Sequence, residues 1–276
     1  MLQNADGGIK AGDVILAIDG VDIKAGDDWT LLLADKAGKQ IKLSVQKQSG
    51  SLLGGKSTVE LFVKGAASDS EPMYRRWVAQ REEMVESLSG GRIGYVHVKG
   101  MDSESFREVF SNALGKYRNC DALIVDTRHN GGGWLHDDIV TFLSGKLYNQ
   151  YIPRGQFIGN EPFTKWTKPS CMLIGEDNYS DASGTPYAYQ KLGIGKLVGA
   201  PVPGTMTAVW WETLLDSSLV FGIPQVGTWS VEEQCFIENH QIEPDVEVYN
   251  DPASLRAGED RQLEAAVRLM LEQCSK

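Results

Sequence analysis

Two stretches combine residue types that could do chemistry. The first, Asp126-Thr127-Arg128-His129-Asn130-Gly131-Gly132-Gly133-Trp134, follows an apolar run and holds three consecutive glycines. Without Cβ atoms, such a run lets the backbone approach a ligand closely and adopt positive φ. Its N–H groups could hold phosphate or stabilise an oxyanion; the bland reading is a tight strand-to-helix turn. The second, Glu176-Asp177-Asn178-Tyr179-Ser180-Asp181-Ala182-Ser183-Gly184, also follows an apolar run and places the Ser180 hydroxyl at the start of a helix. There a serine is either a helix N-cap or a nucleophile whose neighbouring N–H groups stabilise negative charge.

Other chemistries are set aside by spacing. There is no GxSxG elbow, no HExxH and no SxxK, and the glycine run is not the GxGxxG of a dinucleotide site. A small-molecule α/β enzyme with a glycine-loop phosphate site therefore has little support. Gly50, Gly55, Lys56 and Ser57 do satisfy the phosphate-loop pattern GxxxxGK[ST]. That chemistry needs a helix N-terminus after the loop, whereas Thr58-Val59-Glu60-Leu61-Phe62-Val63 alternates as a strand does, so the stretch reads as a hairpin loop. Cys120, Cys171, Cys235 and Cys274 lie far apart with no CxxC pair. No zinc-knuckle or redox motif follows, disulfides stay open, and Cys120 and Cys171, beside apolar runs, read as small buried hydrophobes.

The elements that must position the two loops are legible from periodicity. Residues 8–65 read as short strands with a turn at Asp19-Gly20 and a short helix in the stretch ending near Gly38. A helix from Glu71 to Leu88 places Trp77, Val78, Met84, Val85 and Leu88 on one face. Strands at "RIGYVHVKG", "DALIVDT" and "SCMLIG" alternate with helices, one carrying Phe106, Val109, Phe110, Ala113 and Leu114 as a stripe, and a closing one carrying Leu263, Ala266, Val267, Met270 and Leu271. Strands alternating with helices predict an α/β core from about residue 90 onward.

Composition bounds the partners. In 276 residues, 37 Asp+Glu against 27 Lys+Arg give a formal charge of -10. Such a surface repels phosphate backbones, which argues against nucleic acid. No run of about 18 apolar residues offers a membrane span, and the first residues lack the basic and apolar regions of a signal peptide.

Taken in order, "SGGRIGYVHVKGM", "LIVDTRHNGGGWLHDDIVTFL", "LIGEDNYSDASGTPYAYQKLGIGKLVGAPVPGT", "CFIENHQIEPDVEVYNDP" and "AGEDRQLEAAV" resemble the core of the tail-specific, C-terminal-processing serine peptidases, nearest to their tricorn-protease branch. "GGIKAGDVILAIDGVDI" resembles the second part of a PDZ domain. The resemblance implies a mixed α/β peptidase core of the ClpP/crotonase-like type over 92–276, a partial PDZ-like, mostly-β domain over 1–66, and a linker helix over 67–91. It implies a peptide or unfolded-protein substrate, no cofactor, no metal, and assembly into a homo-oligomer. Through its exported PDZ-bearing bacterial relatives it leans to a periplasmic setting.

Residue by residue, the resemblance puts Ser180 on the nucleophile and the Asp181 N–H in the oxyanion hole, with Gly133, then Gly132, as the second donor. Glu238 falls on the acidic residue that orients the machinery. The tail-specific branch takes its base from a lysine in a Gly-Lys dipeptide; here that dipeptide reads Gly204-Thr205, so the histidine-using tricorn branch fits better. In that family the histidine precedes the PDZ domain, which this chain enters part-way, so the base is expected on an upstream segment. Of the four histidines, His97 reads as structural within a strand. His129 in the glycine loop and His240 two residues after Glu238 are candidate substitute bases, while His136 carries no assigned role. The expected function is peptide hydrolysis through a Ser180 acyl-enzyme, with little turnover by this chain alone. The alternative is a non-catalytic pseudo-peptidase that binds peptide or another ligand.

Overall fold

From Val14 to Lys64 apolar and polar residues alternate, and the chain there forms an antiparallel sheet. In this computed structural model, which describes residues 8–10, 12–48 and 57–275, the strands are β1 (Val14–Ile18), β2 (Val21–Asp22), β3 (Gln40–Lys47) and β4 (Ser57–Lys64), ordered β2-β1-β3-β4. Asp19 and Gly20 both take positive φ at the β1–β2 turn, the conformation a two-residue hairpin requires. Ile41, Leu43 and Val45 alternate inward along β3 and bury against Ile18, Leu61 and Val63. The expected short helix is a single 3-10 stretch, Trp29–Leu33, capped by Asp28. The phosphate-loop letters Gly50, Gly55 and Lys56 lie outside the described residues; Ser57 opens β4, so a strand follows them, not a helix. The chain divides into two units, Met1–Trp77 and Val78–Lys276, within α1 (Ser70–Ser89).

The second unit is built on a five-stranded, all-parallel sheet, with three two-stranded antiparallel hairpins beside it. Its elements are β5 (Ile93–His97), α2 (Ser103–Ser111), β6 (Ala122–Asp126), α3 (His136–Leu143), β7 (Asn149–Tyr151), β8 (Gly159–Glu161), β9 (Ser170–Ile174), α4 (Asp181–Lys191), β10 (Lys196–Gly199), β11 (Ala208–Thr213), β12 (Val220–Val226), β13 (Trp229–Ser230), β14 (Cys235–Phe236), β15 (Val246–Glu247), α5 (Pro252–Ala257) and α6 (Arg261–Gln273). The main sheet runs β15-β10-β9-β6-β5. Both of its faces are covered, which is why β5, β6 and β9 are buried throughout and mostly apolar rather than alternating. One face packs Val96, Val125, Met172 and Leu197 against α2, α3 and α4. The other packs Tyr95, Ile124, Leu173 and Val198 against α6 and the end of α1. The expected mixed α/β core is met.

Three expectations are corrected in detail. Leu88 is 48% exposed, because α1 ends one residue later and only Val78, Met84 and Val85 reach the core. The helix through Phe106 and Leu114 is not continuous: α2 ends at Ser111 and a π-turn over Asn112–Lys116 carries the stripe on. Cys171 is fully buried but Cys120 is only half-buried, its thiol directed at the Gly91 carbonyl. All four cysteines are free thiols.

In a parallel sheet, ligand sites lie outside the carboxyl ends of the strands. Strands β6 and β9 are hydrogen-bonded neighbours, Asp126 opposite Leu173. Their following loops, 127–135 and 175–180, therefore emerge side by side at that edge.

Candidate active site

The glycine loop is anchored from beneath by a buried charge network. Arg128, 3% exposed, grips Asp126 with Nε and Nη2 (2.6–3.2 Å) and Asp260 with Nη1 and Nη2 (3.0 and 3.1 Å), and donates to Gln262 Oε1 at 2.9 Å. Tyr95 donates its hydroxyl to Asp126. Burial alone would raise the Asp126 and Asp260 carboxyl pKa values, but the Arg128 guanidinium outweighs it and holds both below the usual carboxylate range. His97 Nε2 meets the Arg128 carbonyl at 2.9 Å, and burial lowers its pKa despite Asp126 nearby; the structural role expected for His97 matches this placement.

Two buried asparagines then tie the loops together. Asn130 donates from Nδ2 to the Val98 carbonyl, accepts the Gly132 N–H at Oδ1 (2.9 Å), and accepts the Tyr179 N–H at its carbonyl. Asn178 donates to Thr127 Oγ1 and the Ala182 carbonyl and accepts the Gly175 N–H. The Asp181 carboxylate closes a third tie: it accepts the Leu135 and His136 N–H groups and His136 Nδ1, the last at 2.5 Å. Hydrogen bonding to Asp181 raises the His136 pKa above 6.5 against the opposing effect of burial.

Ser180 stands at the N-cap position of α4 with φ 55° and ψ −124°, and its side chain caps nothing. A non-glycine residue at positive φ stores strain of about 1–3 kcal/mol. The N-cap reading thus loses its physical content: the hydroxyl gives the helix no hydrogen bond and is available to a ligand. The backbone N–H of Ser180 donates instead to Thr205 Oγ1 at 3.1 Å. Gly132 passes so close that a Cβ on it would lie 2.6 Å from the Ser180 Cβ, a close approach that admits no other residue type.

The donors separate cleanly. Gly132 gives its N–H to Asn130, so the expectation that it could serve the oxyanion is corrected: its part is the close approach. Gly133 forms a parallel bridge with Met101 in which Gly132 O and Trp134 N face Met101 (3.1 and 2.8 Å). The Gly132 C=O and the Gly133 N–H lie on opposite sides of one planar trans peptide, so the Gly133 N–H points away from Met101. Among the described residues neither the Gly133 nor the Asp181 N–H donates a hydrogen bond. Gly131, Gly133 and Ser180 share a cleft of about 680 Å³ with Thr205, Trp134, Trp211 and Glu238.

Glu238 accepts the Met206 and Thr207 N–H groups at 2.6 Å each. Burial would raise its pKa, but the two N–H groups lower it, so the carboxylate is ionised at neutral pH. The two candidate substitute bases do not reach this cleft. His129, at φ 62°, pairs through Nδ1 with Asp177 Oδ2 at 2.5 Å. His240 sets Nδ1 against Cys235 Sγ at 3.7 Å. Neither lines the cleft around Ser180. Sequence reasoning missed the roles of Thr205, Asn130, Asn178 and His136. Each has a partner well away in sequence; the local bonds, Asn130 to Gly132 and Asn178 to Gly175 and Ala182, are the part a turn cue could have shown.

Comparison with known proteins gives the chain a family. A family model described as peptidase family S41 matches residues 92–248. Fold and match together define the class, a core of the peptidase S41 type. The chain is similar to tricorn protease homolog 1 of Streptomyces coelicolor, 30% identical over 264 residues that make up 95% of this chain and 24% of the relative. It is similar to the tricorn protease of Thermoplasma volcanium, 26% identical over 96% of this chain and 25% of the relative. Among solved structures, the crystal structure of the tricorn protease aligns with a TM-score of 0.83 at 26% identity, over 96% of this chain and 25% of that one. The chain belongs to peptidase family S41, in its tricorn-like branch. It spans about a quarter of the length of these curated relatives.

Proposed function

We propose that this chain carries the nucleophile and oxyanion hole of a peptidase that cleaves peptides or protein tails through a Ser180 acyl-enzyme. The observation that carries the reading is Ser180 itself: strained, uncapped, and in one cleft with Gly133. The Ser180 hydroxyl adds to the scissile carbonyl as its proton passes to a general base. The developing oxyanion is held by the Gly133 and Asp181 N–H groups, each worth about 3–4 kcal/mol in comparable holes. Collapse expels the amine, protonated by the same base, and water then hydrolyses the ester along the reverse course. Glu238, ionised and fixed by two N–H groups, orients or charges that base. Trp134 and Trp211 supply apolar walls for a substrate chain.

No histidine lines the cleft among the described residues, and we assign the base to a histidine-bearing segment outside this chain. Residues 1–66 are assigned as a partial PDZ-like module that precedes the core, supported by their small antiparallel sheet. The second reading, a binding pseudo-peptidase, draws on the same lack of a base. A fluorogenic peptide assay on this chain, alone and with the upstream segment of its full-length protein, decides between them. Turnover that appears with the segment and vanishes in Ser180→Ala supports the peptidase. Peptide binding without turnover in both supports the pseudo-peptidase.

A further inference from the structure

Away from the Ser180 cleft, the β13–β14 hairpin and the loop after it gather three different donor types: the Glu233 carboxylate, the Cys235 thiol and the His240 imidazole, one ligand atom from each lying within 4.8 Å of the others. We infer that these three side chains form a site for a single thiophilic divalent transition ion of the zinc class, with water completing a tetrahedron. Sulfur at about 2.3 Å and nitrogen at about 2.0–2.1 Å from a tetrahedral zinc stand about 3.5 Å apart. Cys235 Sγ and His240 Nδ1 are already 3.7 Å apart, so little movement is required. The donor set of thiolate, imidazole and carboxylate is one that selects zinc-like ions over magnesium or calcium.

The backbone that presents these ligands is fixed. Ser230 accepts the Glu233 N–H at Oγ and the Gln234 N–H at its carbonyl, and Tyr187 of α4 donates to Ser230 Oγ. Gln234 and Asn239 take positive φ (55° and 61°), turning the chain sharply just before each of Cys235 and His240. Asn239 donates its N–H to the Gly204 carbonyl, holding the second turn. Glu233 also pairs with Lys191 at 2.6 Å, but Glu232 reaches the same ammonium at 3.2 Å. Glu233 can therefore turn to the ion while Lys191 keeps a carboxylate. On binding, the Cys235 thiol releases its proton to solvent, and the electron pair of each bond to the metal comes from its ligand.

The segment between two of the ligands carries Glu238, so an occupied site braces the part of the cleft that Glu238 forms with Met206 and Thr207. That consequence rests on the peptidase reading; the site itself does not, and its test measures binding alone. The full chain, kept reduced and freed of metal with a chelator, is titrated with Co²⁺ and then Zn²⁺. One Co²⁺ per chain should produce a near-ultraviolet thiolate-to-cobalt charge-transfer band, and Zn²⁺ should bleach it. Cys235→Ser should abolish the band, while Cys120→Ser and Cys274→Ser keep it. In calorimetry, Cys235→Ser and His240→Ala should each weaken Zn²⁺ binding by more than the roughly 10–100-fold lost with a supporting partner. In the unaltered chain, Zn²⁺ should protect Cys235 from alkylation, a readout that does not depend on a variant folding. No thiolate band, a band that survives Cys235→Ser, or unprotected Cys235 under saturating Zn²⁺ would overturn the site and leave the contact a thiol–imidazole hydrogen bond.

Discussion

Ser180 and Gly132 set the residue-scale argument, because each holds a conformation or a contact that only its role explains. An N-cap serine replaced by alanine costs about 0.5–2 kcal/mol. Ser180 caps nothing, so Ser180→Ala should leave thermal stability nearly unchanged while abolishing hydrolysis. Ser180→Gly should raise stability by about 1 kcal/mol, since glycine relieves the positive-φ strain. Differential scanning calorimetry on the two variants measures this; a clear loss of stability in Ser180→Ala would restore the capping role. Gly132→Ala should destabilise the chain by about 1–3 kcal/mol through strain at φ 97° alone. It should also displace Ser180, against which the new Cβ would lie 2.6 Å from the serine Cβ; peptide turnover and a thermal melt would read both effects. Both residues were legible as chemistry in the sequence because they are glycines and a hydroxyl at loop positions. The ranking of Gly133 before Gly132 as the proposed donor came from the resemblance and not from spacing; the physical reason for it is that Asn130 takes the Gly132 N–H.

At the scale of elements, the site is two loops held in register by side chains that no periodicity reveals. The strands β5, β6 and β9 were legible because a sheet covered on both faces writes itself as apolar runs. The Arg128–Asp260 pair spans 132 residues and has no local trace. Asp260→Asn removes a buried partner of Arg128 and should cost about 3–5 kcal/mol, the range for breaking a buried pair, measured by urea denaturation. The depressed pKa values of Asp126 and Asp260 give a sign for acid. Their contribution is fully present above the unfolded carboxylate value of about 3.9 and is lost as pH falls through the lower folded values. His136 works in the opposite direction. Its folded pKa is raised above 6.5 by Asp181, so its clamp is fully present below about 6.5 and is lost as pH rises through the folded value. In a nuclear magnetic resonance titration His136 should titrate above 6.5, and Asp181→Asn should bring it back down. His136→Ala removes the Nδ1 tie to Asp181 and the edge-on ring contact with Trp134 while the Leu135 and His136 N–H bonds to Asp181 remain, so it should lower peptide turnover with the chain still folded; unchanged turnover, or a collapsed thermal melt, would contradict this.

At the scale of the whole molecule, the fold is set within this chain while the base is proposed to come from outside it. The five-stranded parallel sheet follows from residues within this chain, and its class was readable from alternating strands and helices. The base was not readable as a position, and the structure turns His129 to Asp177 and His240 to Cys235. Oxyanion donors and substrate binding without a working triad still accelerate hydrolysis by about 10³–10⁴ over water. The chain alone should therefore show turnover no greater than that background, with full activity requiring the segment that carries the base. The central claim, that Ser180 is the nucleophile of this assembly, is tested most directly by covalent trapping. The full-length protein is treated with a fluorophosphonate, which phosphonylates activated serines, and the adduct is mapped by peptide mass spectrometry. One adduct on Ser180, lost in Ser180→Ala together with peptide hydrolysis, is the predicted result. An adduct on another serine, or hydrolysis that persists in Ser180→Ala, would contradict it.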